Sequence, residues 1–396
     1  MRKDYFVTLQ DTASEKLDKL NSVRKKSIQM MGVPTGFRDF DSMTGGLQES
    51  ELIVVGGRPA MGKTAFALSI ACNLAIRQKR PVAFFSLEMS KEQLTNRILG
   101  MEAHVDGTRI KTGELTDDDW VNLINSADVI GTSNLYIDDT PGITVDEICE
   151  RSTGLKGTNG LDLIIVDYLQ LIRSSNEYES RQKEITVISR KLKELSKKLK
   201  VPVIILSQLS RATEQREDHH PLLSDFRECG AIEQDADMVI FLYRDDYYNK
   251  DSKNPGIVQI SIAKHRNGNC GMLFLVWDRN FAEFKNIDAK FPWSIEAVSV
   301  SAVMSIVCRK FGVDENTVIS KRRDESLVKA RQIIMYLCRK HTDLSLDEIG
   351  KKLGKRDHTS VMSGISKVKN MIENDEQYAK MIEEIERELW AQWKNI

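Results

Sequence analysis

Short, continuous apolar runs recur along the first two thirds of the chain and are separated by longer amphipathic segments. Two of those segments, 64–78 and 182–199, have the apolar spacing of helices. Continuous apolar strands that alternate with helices are typical of a mostly parallel sheet covered by helices on both faces. The pattern therefore predicts an α/β domain. The predicted strands are 52–55, 82–85, 163–166, 203–206, 238–242 and 258–262.

The pattern changes near residue 288, where the strand signals stop. From Val298 onward the spacing is helical throughout, with breaks at Gly312, around Thr342 and at Gly354. This spacing predicts a second, all-α domain. The expected organisation is an N-terminal arm with a linker helix (1–33), an α/β domain (34–288), a linker (289–297) and a helical domain (298–396).

Each end of the chain carries an apolar stripe on a polar helix. In residues 1–30 the stripe includes Leu17 and Leu20, and it fits either a solvated surface helix or an arm that packs on a neighbouring subunit. At the other end the stripe runs from Tyr378 to Trp393, where a last helix packed on its own domain is expected.

Composition and charge exclude several classes of protein. Of the 396 residues, 41% are hydrophobic and 29% are charged, so neither a disordered nor a collagen-like chain is expected. No apolar run reaches the ~18 residues of a membrane span and no secretory signal opens the chain, so a cytoplasmic protein without a membrane anchor is expected. The cysteines form no CxxC, and no zinc site is indicated. Because the net charge is -1, nucleic acid would have to bind local basic patches.

One segment between a predicted strand and a predicted helix has the spacing G-x-x-x-x-G-K-[ST]. Backbone N–H groups and the helix N-terminus bind phosphates in that context. Lys63 is expected to reach the β- and γ-phosphates, and Thr64 to ligate Mg²⁺. The sequence therefore predicts a triphosphate site for ATP and Mg²⁺. Its residues are Gly57, Arg58, Pro59, Ala60, Met61, Gly62, Lys63 and Thr64.

Three polar residues at the ends of other predicted strands are expected at the same edge of the sheet. Asp167 ends LDLIIVD and is the candidate to hold Mg²⁺, although a helix-capping Asp is also compatible. Glu88 follows PVAFFS and is a candidate to orient the attacking water. Gln208 follows VPVIILS and is a candidate sensor of the γ-phosphate. The residues alone leave the roles of Glu88 and Gln208 open.

The helical domain contains a helix-turn-helix pattern. DLSLDEIGKKLG predicts a helix and a glycine turn, and RDHTSVMSGISKVKNM predicts a second helix capped by Asp357. Recognition helices read bases from their N-terminal end, where His358, Thr359 and Ser360 lie. The basic stretch 321–323 suits phosphate or minor-groove contact. On this pattern alone, a helix pair without DNA-binding function is the commoner case.

A series of ordered blocks extends from Gly32 to Phe284. The blocks are PTGFRDFDSMTGGL, GRPAMGKTAF, FFSLEMS, IDDTPGIT, IIVDYLQLI, SQLSRATEQR, LLSDFRECGAIEQDADMVIFLYRDDYYN and AKHRNG. With them the chain resembles the motor domain of the bacterial replicative helicase family, which is DnaB-like and RecA-folded. The resemblance implies a homo-oligomeric ring, in the family a hexamer, that hydrolyses ATP and moves 5′ to 3′ on single-stranded DNA in its central channel.

The resemblance also implies roles for individual residues. Glu88 would be the catalytic base, Asp167 the Walker B acid, and Gln208 the residue that couples nucleotide state to DNA. Lys264 and Arg266 would reach into the neighbouring subunit's ATP site as a lysine and an arginine finger. A finger supplied across an interface makes hydrolysis depend on assembly.

The block SDFRECG would form a DNA-facing loop in the central channel. The resemblance implies that Arg227, Glu228 and Gly230 approach the single-stranded backbone, where a cation and small residues suit phosphates. The chain has Cys229 where the family usually has serine and His265 where it usually has glutamine. Neither departure removes a charged group.

Members of the family carry an N-terminal helical domain that forms a collar and meets primase. Here residues 1–33 precede the motor, which is enough for the linker helix. The collar is therefore expected to be missing, primase docking by the usual route is not expected, and ring closure would rest on the linker helix and the motor interfaces. A helicase loader is a further partner that the resemblance allows.

The helical domain carries a second resemblance. FGVDENTVISKRR, ARQIIMYLCRK, LSLDEIGKKLG and KRDHTSV follow the pattern of the double-strand-DNA-binding domain of the bacterial initiator DnaA. This resemblance implies that the N-terminal end of the second helix reads the major groove, with Ser360 where the family commonly has threonine. Arg323 would enter the minor groove, and Arg331 would contact the DNA backbone or a base. The implied major-groove residues are Arg356, Asp357, His358, Thr359 and Ser360.

Together these features predict an ATP-dependent DNA helicase that its C-terminal domain brings to a specific double-stranded site, such as an origin. Self-targeting of this kind suits a phage or a mobile element. The alternatives are an origin-binding initiator or regulator that uses the ATPase as a switch, and a recombinase or loader on the same core. The complete set of ATPase residues argues against the switch, and DYLQL, SQLSR and KHR argue for the helicase over the recombinase.

Overall fold

A computed structural model of the chain divides it into two compact units, Met1–Phe291 and Pro292–Ile396. The division falls inside the predicted linker 289–297, which itself lies outside the described residues. The described residues are 8–10, 12–13, 17, 31–216, 219–226, 230–252, 254–287, 300–320, 322, 324–341, 344–354, 356–375, 377–382 and 384–385.

Within the described residues, one nine-stranded sheet forms the centre of the first unit. Its strands are β1 (Leu52–Gly57), β2 (Val82–Ser86), β3 (Leu135–Asp138), β4 (Leu163–Asp167), β5 (Val203–Gln208), β6 (Met238–Tyr243), β7 (Ile257–His265), β8 (Gly271–Asp278) and β9 (Glu283–Lys285). They lie in the order β3-β2-β4-β5-β1-β6-β7-β8-β9. The strands from β3 to β6 are parallel, and the last three continue the sheet antiparallel. The predicted mostly parallel sheet is confirmed.

All six predicted strands are present, and three strands were not predicted. β3 is only half-buried along its length, and β8 alternates between buried and partly exposed positions. β9 has three residues. Because the prediction depended on continuous apolar runs, it missed the edge strands β3 and β9, whereas β8 contains the apolar run 272–277 and was still not predicted.

Helices cover both faces of the sheet. Successive side chains of a strand point to opposite faces, so Ile53 and Val55 pack with Phe66 on one side while Leu52 and Val54 pack on the other. The helices of this unit are α1 (Arg38–Thr44), α2 (Lys63–Cys72, continued by a π-helical segment Asn73–Arg77), α3 (Lys91–Ala103), α4 (Gly107–Thr112), α5 (Asp117–Gly131), α6 (Val145–Thr158), α7 (Arg181–Leu199), α8 (Gly230–Asp235) and α9 (Asp245–Tyr248).

The described part of the second unit is entirely helical. Its helices are α10 (Val300–Phe311), α11 (Glu315–Ile319), α12 (Glu325–His341), α13 (Leu346–Lys352) and α14 (His358–Asn374). Gly354 ends the turn between α13 and α14 with φ +87°, and a Cβ there would lie 2.0 Å from the carbonyl oxygen of Ile319. Only glycine fits this turn. Asp357 caps α14 as predicted, because its Oδ1 accepts from the Ser360 N–H at 2.7 Å.

The apolar stripe at the end of the chain packs on this helical unit. Tyr378, Ile382 and Ile385 are buried in the same core as α12 and α14. This confirms the expected packing for these residues, while Leu389 and Trp393 lie outside the described residues.

In the described part of the chain, no helix is both long enough and apolar enough to pass through a membrane.

Candidate functional site

The predicted phosphate loop connects the end of β1 to the start of α2. Ala60 and Gly62 both have positive φ, at 63° and 92°, which folds the loop tightly back before the helix begins. Lys63 is the first residue of α2, so the loop meets the positive end of a helix dipole. This strand, loop and helix arrangement is the one that binds phosphates in P-loop proteins.

The side chain of Lys63 lies inside this loop. Its Nζ donates to the carbonyl oxygens of Gly57 at 2.7 Å and Arg58 at 3.1 Å. Burial lowers the pKa of Lys63 to about 8, while the charges of Asp167 and Glu88 act in the opposite direction. The ammonium is therefore surrounded by groups that stabilise its charge in a desolvated position.

Asp167 lies at the end of β4 with 1% of its surface exposed. Burial raises its pKa to about 6, Glu88 adds to the rise, and a hydrogen bond from the Thr64 hydroxyl lowers it. Its buried Oδ2 has no hydrogen-bond partner among the described residues. Carboxylate and hydroxyl oxygens are ligands that Mg²⁺ accepts, so Asp167 and Thr64 fit a Mg²⁺ ion beside the phosphate loop.

Glu88 lies next to Asp167 because a backbone hydrogen bond ties the two strand ends together. Leu87 N–H donates to the Asp167 carbonyl at 2.7 Å, beyond the pairing of Ser86 with Asp167. Glu88 lines a cavity of about 670 Å³, together with residues of α3 and the segment 279–282. A partly solvated carboxylate beside a Mg²⁺ site is suited to orient a water molecule.

Arg97 of α3 is a functional candidate that the sequence analysis missed. It lines the same cavity as Glu88. Burial lowers the pKa of its guanidinium, and the carboxylates of Asp167 and Glu88 act in the opposite direction. No motif marks this residue, and only the packing of α3 beside the strand ends brings its charge to the two acids.

Gln208 ends β5 and is paired with Gly57, the first residue of the phosphate loop. Gln170 stabilises the end of β5. Its Nε2 donates to Ser207 Oγ at 3.1 Å and to the Gln208 carbonyl at 3.2 Å. The sheet therefore brings Gln208 to the same edge as Asp167 and Glu88.

Lys264 and Arg266 lie at the opposite edge of the sheet. Met238 pairs with Ile53, near the start of β1, and with His265, near the end of β7. The phosphate loop follows the other end of β1, roughly 16 Å away at ~3.3 Å per residue. Lys264 Nζ donates to the Glu233 carbonyl, and Arg266 donates to the Gln234 carbonyl.

The predicted single-strand loop is only partly described. Arg227 and Glu228 lie outside the described residues, as does Cys229. Gly230 begins α8 directly after them.

The predicted double-strand contacts fall into two groups. His358, Thr359 and Ser360 are exposed at the start of α14 beside the capping Asp357. The Arg356 guanidinium instead donates to the carbonyls of Leu353 at 3.0 Å and Ser320 at 2.8 Å. Arg323 lies outside the described residues.

The side chain of Arg331 bonds within the second unit. Its surface is 4% exposed. Its guanidinium donates to the carbonyls of Thr317 at 3.1 Å, Val318 at 2.5 Å and Ser320 at 3.0 Å, and also to that of Arg322. The guanidinium therefore holds the segment before α12, and the predicted contact with DNA stays a prediction.

Strand order, phosphate loop and acidic strand ends define a RecA-like P-loop ATPase domain, joined to a helix-turn-helix unit. A family model described as "DnaB-like helicase C terminal domain" matches residues 32–286, and one described as "Bacterial dnaA protein helix-turn-helix" matches residues 300–368. The chain belongs to the DnaB-like helicase family.

Relatives and solved structures agree with this assignment. Replicative DNA helicase DnaB of Geobacillus stearothermophilus is 47% identical over 72% of this chain and 63% of its own length. Replicative DNA helicase DnaC of Bacillus subtilis (strain 168) is 46% identical over the same shares. A solved DnaB-like replicative helicase, described with its interactions with primase, matches with TM-score 0.66 and 37% identity over 73% of this chain and 69% of that chain. The chain thus spans less than two thirds of the length of these curated relatives.

Replacement of Arg331 tests its structural role. Arg331→Met removes donors to four carbonyl groups, and hydrogen bonds from charged donors contribute about 1.5–3 kcal/mol each. We expect the second unit to lose about 2–4 kcal/mol of its free energy of unfolding. Hydrogen exchange of the α12 and α14 amides in the full chain measures this loss for that unit alone. Lys329→Met, two residues earlier on the exposed face, is the matched control, and unchanged protection in Arg331→Met would contradict the structural role.

Proposed function

We propose that the chain is an ATP-dependent DNA helicase whose subunits form a ring, hexameric as in the family, around single-stranded DNA. The ring translocates 5′ to 3′ and separates the strands of a duplex. The C-terminal unit binds a specific double-stranded site, such as an origin, and brings the motor to it.

The observation that carries this proposal is the separation of Lys264 and Arg266 from the phosphate loop of their own chain. The two cations lie where the parallel strands begin, and the loop lies where they end. A second copy docked head to tail can bring the one edge to the other, which a closed ring repeats at every interface. Hydrolysis then depends on assembly, because the charge that develops on the phosphates is stabilised only across the interface.

The chemistry of one site follows from the residues at the strand ends. Lys63 and the loop N–H groups bind the β- and γ-phosphates of ATP. Thr64 and Asp167 would hold Mg²⁺, which would neutralise phosphate charge. Glu88 orients the attacking water and accepts its proton. Arg266 of the adjacent copy stabilises the charge on the transferred phosphoryl group.

An exposed apolar surface on α5 supports assembly. Trp120, Val121 and Ile124 are 59%, 55% and 50% exposed. Large apolar side chains grouped on one helix mark protein–protein contacts. In the described part of the N-terminal arm, Leu9 and Leu17 are also exposed, which favours the arm as an element that packs on a neighbouring motor.

In the sequence, the segment 227–230 lies between the 3₁₀ turn Leu223–Phe226 and β6, and of its residues only Gly230, the first residue of α8, is described. Arg227 and the small residue Gly230 suit a loop that follows the phosphates of a single strand. These residue types support a motor that follows single-stranded DNA.

The exposed start of α14 supports the double-strand contact. His358, Thr359 and Ser360 present side chains that hydrogen-bond to base edges, and Asp357 fixes the start of the helix. The buried Arg331 contributes by holding the basic segment before α12.

Fork unwinding tests the motor. With ATP and Mg²⁺ the chain is expected to separate a fork with a 5′ tail and not one with only a 3′ tail. Lys63→Ala is expected to lower the rate about 100-fold or more, because it removes a phosphate-stabilising charge. Lys79→Ala, at an exposed lysine outside the site, is the control. Hydrolysis without strand separation would contradict the helicase and favour the ATP-switch alternative.

Selection from a random double-stranded library tests the targeting. The full chain is expected to enrich one sequence, and His358→Ala to bind that sequence about 5- to 150-fold more weakly, since one base contact contributes about 1–3 kcal/mol. Asn370→Ala, about three turns further along α14, is the control. A selected pool without a common sequence would contradict specific targeting.

A further inference from the structure

The side chain of Arg58 belongs to the phosphate loop by sequence but bonds elsewhere. It is 7% exposed. Its Nε and Nη2 donate to Glu214 Oε1 at 3.0 and 2.7 Å, and its Nη1 donates to the Leu209 carbonyl at 2.8 Å. These described contacts direct the guanidinium at the segment that follows β5, and not at a nucleotide.

Within the described residues of that segment, 209–216 and 219–226, hydrogen bonds join its beginning to its end. Ser210 N–H donates to the Asp225 carbonyl at 3.1 Å. Arg216 donates to both carboxylate oxygens of Asp225, at 2.8 and 2.6 Å, and Asp225 is 3% exposed. A bidentate pair of this kind fixes geometry as well as charge. These bonds join the residues after Leu209 to Asp225, which immediately precedes Phe226.

A second contact joins β1 to the same segment. A Cβ at Gly56 would lie 2.9 Å from Phe226 Cζ and 2.9 Å from Phe241 Cε1, so the strand that leads into the phosphate loop touches Phe226 directly. Phe226 and Phe241 are stacked with their ring centres 5.5 Å apart. The segment thus has two contacts here. One is polar, with Arg58 of the phosphate loop, and the other is apolar, with the end of β1.

We infer that Arg58 is a positioning residue whose ion pair with Glu214 couples the phosphate loop to the segment after β5, which in the sequence leads to the proposed single-strand residues. The inference rests on the proposed function, and it gives a role to the side chain of a residue that was predicted to belong to the triphosphate site. The planar guanidinium has a fixed fork of donors, so a shift of the loop around the phosphates moves Leu209 and Glu214 with it. Coupling of this kind is reciprocal, so DNA on the proposed single-strand residues also changes the phosphate site.

Glu214→Ala tests the coupling without a change in the phosphate loop. Hydrolysis without DNA is expected to stay within about twofold of the natural chain, whereas its stimulation by an oligothymidylate is expected to fall about fivefold or more, as couplings of about 5- to 150-fold are typical. Glu214→Gln keeps a side-chain oxygen that accepts from Arg58, so it is expected to retain part of the stimulation. Glu179→Ala, at an exposed glutamate paired with Lys183, is the matched control.

A double-mutant cycle with Arg58→Lys assigns the effect to the pair. Lysine keeps the charge but loses the fork, and the effects of Arg58→Lys and Glu214→Ala on stimulation are expected to be less than additive. Unchanged stimulation in Glu214→Ala would overturn the inference, and so would an equal loss of hydrolysis with and without DNA, which a merely structural role gives. If DNA does not stimulate the natural chain, the proposed function fails and the inference fails with it.

Discussion

The shared direction of β2, β4, β5 and β1 is the constraint on which the ATP site depends. Parallel strands end at one edge, and each of these four leads into a residue or loop for which phosphate, metal or proton chemistry is proposed. Distant parts of the chain supply Glu88, Asp167 and Gln208. The parallel register of their strands brings all three to the same edge of the sheet. The start of α2 adds its dipole at the same place. Because the strands are buried on both faces, the site is held by the core and needs few contacts of its own.

The antiparallel strands at the other side of the sheet place their chemistry at the opposite edge. β7 runs back along β6, so the residues at its end lie where the parallel strands begin. In the proposed function, one sheet therefore separates the phosphate loop from the two cations that would complete the site of a neighbouring subunit. A ring is the arrangement that uses both halves of every subunit. The same geometry explains why the proposed activity belongs to an assembly and not to a single chain.

The sequence was sufficient to predict the parts whose patterns are local. Continuous apolar runs located the covered strands, and the phosphate loop and the capping Asp357 follow fixed spacings. β3 was missed because it is half-buried and lacks such a run, whereas β8 contains the apolar run 272–277 and was still not predicted. The sequence did not predict which groups the individual side chains contact. Arg97, Arg58 and Arg331 are all arginines whose roles depend on carboxylates or carbonyls brought close only by the fold, and nothing in their immediate sequence distinguishes a guanidinium that meets DNA from one that is buried.

The most direct test of a site shared between subunits is a mixture of two inactive variants. Arg266→Ala keeps its phosphate loop and acids, whereas Glu88→Gln keeps its finger, so each variant alone is expected to hydrolyse little ATP on single-stranded DNA. After subunit exchange in equal amounts, roughly a quarter of the head-to-tail interfaces combine an intact acid with an intact finger, and hydrolysis is expected to return. No recovery at any mixing ratio, with mixed assemblies verified, would contradict the shared site.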